Sequence, residues 1–341
     1  MIDLRSDTFT KPTPLMLEAM FRANVGDDVF SEDPTVNELE ARIAEMFHME
    51  AALFCPSGTM TNQIAIKCHT EPGNEVICEH LSHIYTYEGG GIAFNSGCQV
   101  KPIIGYKGQI TASQILENIN PLDIHKPISS LVCIENTSNR GGGSCYHLNE
   151  LITIREVCNS SGLKLHLDGA RIWNALVSKN ESPKQYGEIF DSISVCLSKG
   201  LGAPIGSLLI GSTNFIKKAR RIRKVMGGGM RQAGYMAAAG LFALEHHIDR
   251  LVIDHENAQK IANSLSVNNF VKEVLPVETN MIIFELHHKI SASEFVNYMK
   301  EKDVLCMAIS KNQVRMVTHL DVATIAIDKV LDVIKNFNLD I

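Results

Sequence analysis

The chain has 341 residues, 45% hydrophobic and 21% charged, with a formal net charge of −6. That length suits one large domain or two, and the apolar content allows a substantial core. The negative balance argues against nucleic acid as the main partner. Nine scattered cysteines without a C-x-x-C pair argue against a zinc site or a disulfide framework.

"MIDLRSDTFTKP" carries acidic residues and no apolar centre, so it does not read as a signal peptide. No apolar run approaches the roughly 18 residues that a membrane span requires. A soluble, cytoplasmic protein with reduced thiols is expected. From about residue 51, short apolar runs alternate with helical stretches: "AALFC", "EVICE", "QVKPIIG", "SLVCIEN", "KLHLD", "SISVCLS" and "GSLLIG". Most read as continuous apolar strands, as in a sheet covered on both faces. Between them lie amphipathic segments such as "HLNELITIREVCNSSG", which glycine ends. The pattern predicts an α/β fold with a mostly parallel sheet in a large domain, residues 1–248. After Ile248 the texture changes to "LVIDHENAQKIANSL", "KEVLP", "NMIIFEL", "ASEFVNYMKEK", "VLCMAI", "QVRMVTHL" and a final helix from about Thr324. That predicts a smaller α+β domain over 249–341.

Three stretches follow strands, where α/β sheets place their ligands. In "CPSGTMTNQIAIK" a strand ends at Cys55, "PSGT" turns, and a helix starts around Met60. Such a helix N-terminus can take an anion, although an ordinary cap looks the same. In "KLHLDGARIWN", Asp168 ends a strand and Gly169 lets the chain turn; an ordinary strand-ending turn reads equally well. In "CLSKGLGAPIGS", Lys199 leaves an apolar strand and runs into glycines. One crossover helix, "PKQYGEIF", separates these last two, and right-handed crossovers bring consecutive strand ends together. A strand-end lysine, a strand-end carboxylate and an anion turn are the parts of a pyridoxal phosphate site. The lysine forms a Schiff base, the carboxylate pairs with the ring nitrogen, and the glycines beside Lys199 leave room for the cofactor.

The sequence resembles the low-specificity L-threonine aldolases, pyridoxal-phosphate enzymes of the aspartate-aminotransferase fold (fold type I). "DLRSDTFT", "GDDVFSEDPTVNELE", "PSGTMTNQIAI", "IENTSNRGG", "LHLDGARIWNA", "FDSISVCLSKGLGAPIGSLLIG", "GGGMRQAG" and "VRMVTHLD" carry the likeness nearly end to end. It implies that Lys199 is the Schiff-base lysine and Asp168 the partner of the ring nitrogen, with Gly58 and Thr59 on the phosphate. It implies that His83 stacks over the ring and shares in catalysis. Ser6, Arg171 and Arg315 hold the substrate carboxylate, Arg171 also counting among the cofactor contacts. His125 stands near the substrate hydroxyl and takes its proton. Lys224 and Arg231 reach a phosphate, Arg231 in a neighbouring subunit of the family's homo-oligomer, a dimer or tetramer. The expected reaction is cleavage of threonine or allo-threonine to glycine and acetaldehyde.

Two departures bear on the substrate: Phe30 stands where many relatives have tyrosine, and Ser138 where many have histidine. "HKPISS" also lacks an arginine often found shortly after His125. Rival readings are another reaction on the same cofactor (β-elimination, transamination or racemisation), a fold retained without chemistry, and an RNA-associated protein. The last would use "KKARRIRK", six basic residues in eight at 217–224, which reads better as a solvated helix face.

Overall fold

The computed structural model describes residues 1–337. A short strand, β1 (Ile2–Asp3), precedes α1 (Pro14–Phe21) and α2 (Pro34–Met46). The alternating region comprises β2 (Ala51–Cys55), α3 (Gly58–His69), β3 (Glu75–Glu79), the single turn α4 (His83–Thr86) and β4 (Gln99–Ile103). It continues through α5 (Ala112–Asn118), β5 (Ser129–Glu135), α6 (Leu148–Ser160), β6 (Lys164–Gly169), α7 (Ile172–Lys179), α8 (Pro183–Ile189), β7 (Ser192–Cys196) and β8 (Ser207–Gly211). Then come α9 (Thr213–Val225), α10 (Gly234–His246), α11 (Leu251–Ser266), β9 (Val271–Val274) and β10 (Met281–Leu286). The last described elements are α12 (Ala292–Glu301), β11 (Val304–Leu305), β12 (Met307–Ala308), β13 (Gln313–Val317) and α13 (Thr324–Lys335).

The strands of the alternating region form one seven-stranded sheet in the order β2-β8-β7-β6-β5-β3-β4. Only β8 runs against its neighbours, pairing antiparallel with both β2 and β7. The Lys199 segment is therefore a return loop between two adjacent antiparallel strands. Two helices, α7 and α8, bridge β6 to β7, where the sequence suggested one.

Side chains along a strand alternate between faces, and the two faces of this sheet bury different things. On one face, Ala52, Phe54, Leu165, Leu167, Ile193, Val195, Leu208 and Ile210 join a core with Val36, Leu39, Leu151 and Ala237 of the covering helices. On the other, Leu53, Cys55 and Leu209 pack with α3 and α9 through Ile64, Ala65, Ile216 and Ala219. Strands β6 and β7 thus read as alternations after all. Leu165 and Leu167 enter the core while His166 and Asp168 face α3; Ile193 and Val195 enter it while Ser192, Ser194 and Cys196 face α3.

A second, antiparallel sheet, β12-β13-β10-β9, carries its own core with Ile261, Phe284, Phe295, Val314 and Val330. The first four residues pack against this unit. Strand β1 pairs with β11, and Leu4 packs in the second core. Among the described residues no helix is long and apolar enough to cross a membrane.

The basic helix α9 is not wholly solvated. Arg223 is buried, donating to Phe54 O (2.5 Å) and to Asp28 Oδ2 (2.6 Å), so it ties α9 to the end of β2. Replacing one member of such a pair leaves the other charge buried without compensation. Arg223→Met is expected to cost about 3 kcal/mol or more in urea unfolding, while Arg221→Met on the exposed side of the same helix should cost little.

Candidate active site

Parallel strands β5, β6 and β7 end at the same edge of the sheet, and the site is assembled there. Asp168 sits opposite Ser194 in the β6–β7 register, and Glu135 opposite Asp168 in the β5–β6 register. Lys199 emerges three residues beyond Cys196, the end of β7. Its carbonyl accepts from Gly202 N (2.8 Å) and Thr10 Oγ1 (3.0 Å), which fixes the turn and ties it to the N-terminal segment. The glycines beside it serve the turn and its packing. Gly202 has φ +76°, a Cβ there would strike Leu320 at 2.7 Å, and one on Gly200 would press on Leu251 at 3.1 Å.

Lys199 opens into a cleft of about 410 Å³ with Ser6, His83, Asn139, Arg171 and Arg315 in its walls. Its Nζ lies 3.2 Å from Cys196 Sγ. A Cβ on Gly58 would come within 2.7 Å of that same sulfur, so glycine keeps the space beside the lysine open. Gly58 also begins α3. Ser57 Oγ caps Met60 N, and the amides of Gly58 and Thr59 find no partner among the described residues. A free helix N-terminus beside the lysine suits a phosphate.

His83 starts α4, its backbone N–H donating to Glu135 Oε2 (2.7 Å). Its Nδ1 meets Glu88 Oε1 at 3.0 Å, and its ring, Glu88 and Asp168 offer atoms all within 4.8 Å of one another. Burial disfavours the charged imidazole, but the Glu88 hydrogen bond and the charges of Asp168, Glu88 and Glu135 outweigh it, and the His83 pKa is raised. Burial and the Asp168 charge push Glu135 upward in turn, against the amides of Asn139 and His83. Asn62 Nδ2 bridges Glu88 Oε1 (2.9 Å) and Asp168 Oδ2 (3.0 Å), separating two buried carboxylates.

The two arginines differ. Arg171 is gripped by Asp7 through Nε (2.8 Å) and Nη2 (2.7 Å), both residues buried. Arg315, opposite Ile283 in the β10–β13 register, donates to Asn139 Oδ1 (2.9 Å) and Arg5 O (3.1 Å). Its Nε is buried without a partner, and burial with the nearby Arg171 charge pulls its pKa down. An anion in the cleft would relieve both. Ser6 lines the cleft while its Oγ accepts from Thr8 N (3.3 Å).

The structure therefore brings together Lys199, Asp168, Gly58, His83, Ser6, Arg171 and Arg315. It does not bring the remaining candidates into the cleft of the same chain. His125 lies just before β5, at the amino edge of the sheet; it is 83% exposed and hydrogen-bonded to Asp123 at 2.8 Å. The parallel direction of β5 puts that segment at the end opposite Lys199. A larger groove, about 880 Å³, opens at that edge between His69, Pro121 and Lys164, away from the lysine. Thr59 faces outward into a groove with Phe94 and Met226. Lys224 is exposed beside Val29 and Arg221, and Arg231 pairs with Asp27 at 2.8 Å. Phe30 is 70% exposed, and Ser138 is buried as the acceptor of Gly141 N (3.1 Å); neither lines the cleft. Asn62, Glu88, Glu135, Asp7 and Asn139 were not singled out from the sequence. For Asn62 a signal existed: it lies one helical turn after Gly58.

Asp7 supplies a test. Burial opposes its charge, but Arg171 and Lys199 outweigh that and draw its pKa down to about 2 from 3.8. A lowered folded pKa contributes stability above the unfolded value and loses it as pH falls through the folded one. Between pH 4 and pH 2 the protein should lose about 2 kcal/mol of unfolding free energy that Asp7→Asn does not lose.

Comparison with known proteins shows the family. A family model described as Beta-eliminating lyase matches residues 3–289. The low specificity L-threonine aldolase of Escherichia coli (strain K12) is 43% identical over 324 residues, covering 95% of each chain. The probable low-specificity L-threonine aldolase 2 of Arabidopsis thaliana is 40% identical, covering 97% of this chain and 95% of its own. Among solved structures, a Leishmania major threonine aldolase superposes with a TM-score of 0.86 at 22% identity, over 98% of this chain and 99% of the other, which shows the shared fold. With matches of this length and identity, the chain belongs to the low-specificity L-threonine aldolase family, within the Beta-eliminating lyases.

Proposed function

We infer that the protein is a pyridoxal 5′-phosphate-dependent carbon–carbon lyase that cleaves L-threonine or L-allo-threonine, and related β-hydroxy-α-amino acids, to glycine and acetaldehyde. The observation that carries the reading is one cleft holding Lys199 and Arg315 together with His83, whose ring lies within 4.8 Å of the Asp168 carboxylate.

The residues fit the cofactor. Lys199 would hold its aldehyde carbon, the open α3 terminus at Gly58 and Thr59 its phosphate, and Asp168 its ring nitrogen. When bound, the cofactor supplies an electron sink for the bond broken at Cα. Arg315, with an unpartnered Nε, and Arg171, through the edge that Asp7 leaves free, bind the substrate carboxylate and so set which Cα bond is aligned for cleavage. Glu88 holds His83 Nδ1, which leaves Nε2 to take the substrate hydroxyl proton. Lys199 Nζ returns a proton to Cα.

His125, Lys224 and Arg231 enter this reading only from a second copy. The segment before β5 exposes Leu122 and Ile124 almost fully, as expected of a surface covered in a homo-oligomer. A cytoplasmic location, with a role in threonine breakdown and glycine supply, completes the proposal; nine free cysteines support a reducing compartment.

Two outcomes test it. Purified protein given L-threonine should release acetaldehyde and glycine, and Lys199→Ala should neither do so nor keep cofactor on its peptide after borohydride reduction. Ammonia with a 2-oxo acid as the main products would instead indicate elimination. Arg315→Lys should lower kcat/KM about 100-fold, mostly through KM, since a point charge replaces a planar fork.

A further inference from the structure

The polar positions of β6 and β7 that face α3 join in a chain of hydrogen bonds ending at Asp168. His69 Nε2 lies 2.8 Å from Ser192 Oγ, and Ser192 Oγ lies 2.8 Å from His166 Nδ1. His166 Nε2 is 3.2 Å from Asn62 Oδ1, and Asn62 Nδ2 is 3.0 Å from Asp168 Oδ2. Asn62, His166 and Ser192 are buried. His69 is half-buried, stacked on Phe215 at 4.6 Å, and reaches the groove at the amino edge of the sheet.

The direction of each bond follows from the end that can only accept. An ionised Asp168 has no hydrogen to give, so the Asn62 amide donates through Nδ2; its second hydrogen goes to Glu88 Oε1. Asn62 Oδ1 therefore accepts, and His166 Nε2 must carry a hydrogen. Burial pushes the His166 pKa down to about 3, so the ring is neutral and has only that one N–H. Its Nδ1 then accepts from the Ser192 hydroxyl, whose oxygen accepts from His69 Nε2–H. Burial likewise lowers His69, to about 4, and keeps it neutral. Every hydrogen in the chain points toward Asp168. The opposite tautomer would let His166 Nδ1 donate to Ser192 O, 3.2 Å away, but would leave two acceptors facing each other at Asn62.

We propose that His166 and Ser192 are positioning residues for the reaction: through Asn62 they hold Asp168 as an ionised carboxylate turned toward the cofactor ring nitrogen. The proposal rests on the reading of Asp168 given above. A flipped Asn62 would present its oxygen to both Asp168 and Glu88, and the chain prevents the flip. Each hydrogen bond contributes modestly, so breaking one should change the rate by about fivefold rather than abolish it.

The test uses the full-length chain with and without cofactor. In cofactor-free protein carrying ¹⁵N-histidine, the His166 signal, assigned by its loss in His166→Asn, should show a neutral Nε2–H ring from pH 5 to pH 9. An Nδ1–H ring there overturns the proposal. Ser192→Ala removes one oxygen and keeps the packing; it should shift that signal toward the Nδ1–H form. In protein loaded with ring-¹⁵N pyridoxal phosphate, Ser192→Ala should move the ring nitrogen toward its unprotonated shift and lower kcat about fivefold at unchanged KM. An unchanged ring-nitrogen signal and unchanged kcat in Ser192→Ala refute the proposal while leaving the Asp168 assignment standing. A ring nitrogen already unprotonated in the unsubstituted enzyme refutes that assignment, and the proposal with it.

Discussion

The parallel pairing of β5, β6 and β7 is the constraint from which the site follows. It brings the carboxyl ends of three strands to one edge and, through strict alternation, gives each strand one apolar and one polar face near that edge. Asp168 is polar-facing because Leu167 is core-facing, and Ser194 beside it obeys the same rule. A one-residue slip of β6 would exchange the two and put the carboxylate into the hydrocarbon core. The energy that holds the register is therefore the burial of leucines and isoleucines on the far side of the sheet, away from the chemistry.

The cleft gathers more buried charge than a core ordinarily tolerates. Asp168, Glu88 and Glu135 lie around His83, and Arg171, paired with Asp7, lines the same cleft as His83. Each carboxylate has donors: Asn62 for two of them, backbone amides for Glu135, and a guanidinium for Asp7. Burial and charge compete at each: at Asp7 the Arg171 and Lys199 charges outweigh burial, whereas at Glu135 burial and the Asp168 charge outweigh the amides. The raised pKa of His83 and the lowered one of Asp7 express one principle with opposite outcomes for the proton. Arg315 stands apart because its guanidinium is only partly satisfied, and that deficit suits a residue waiting for a substrate anion.

Much of this was legible in the sequence. The seven apolar runs coincide with the seven strands of the large sheet, and the lysine and aspartate sit at strand ends as their flanking glycines suggested. The polar faces of β6 and β7 are hard to read because "KLHLD" and "SISVC" stand among continuous apolar runs, although both alternate. The reversed direction of β8 was not readable, because a ten-residue loop can return beside its strand or cross over it. Glu88 and Asn62 owe their roles to contacts between elements distant in sequence, which no local pattern encodes. His125 shows the reverse case: the resemblance singled it out, and strand direction places it at the far edge of its own chain.

Crystals soaked with pyridoxal 5′-phosphate would test the central claim most directly. The account predicts density continuous with Lys199 Nζ, the ring nitrogen within hydrogen-bonding distance of Asp168 and the phosphate at the start of α3. Cofactor density elsewhere, or a ring turned so that Asp168 meets no nitrogen, would contradict it.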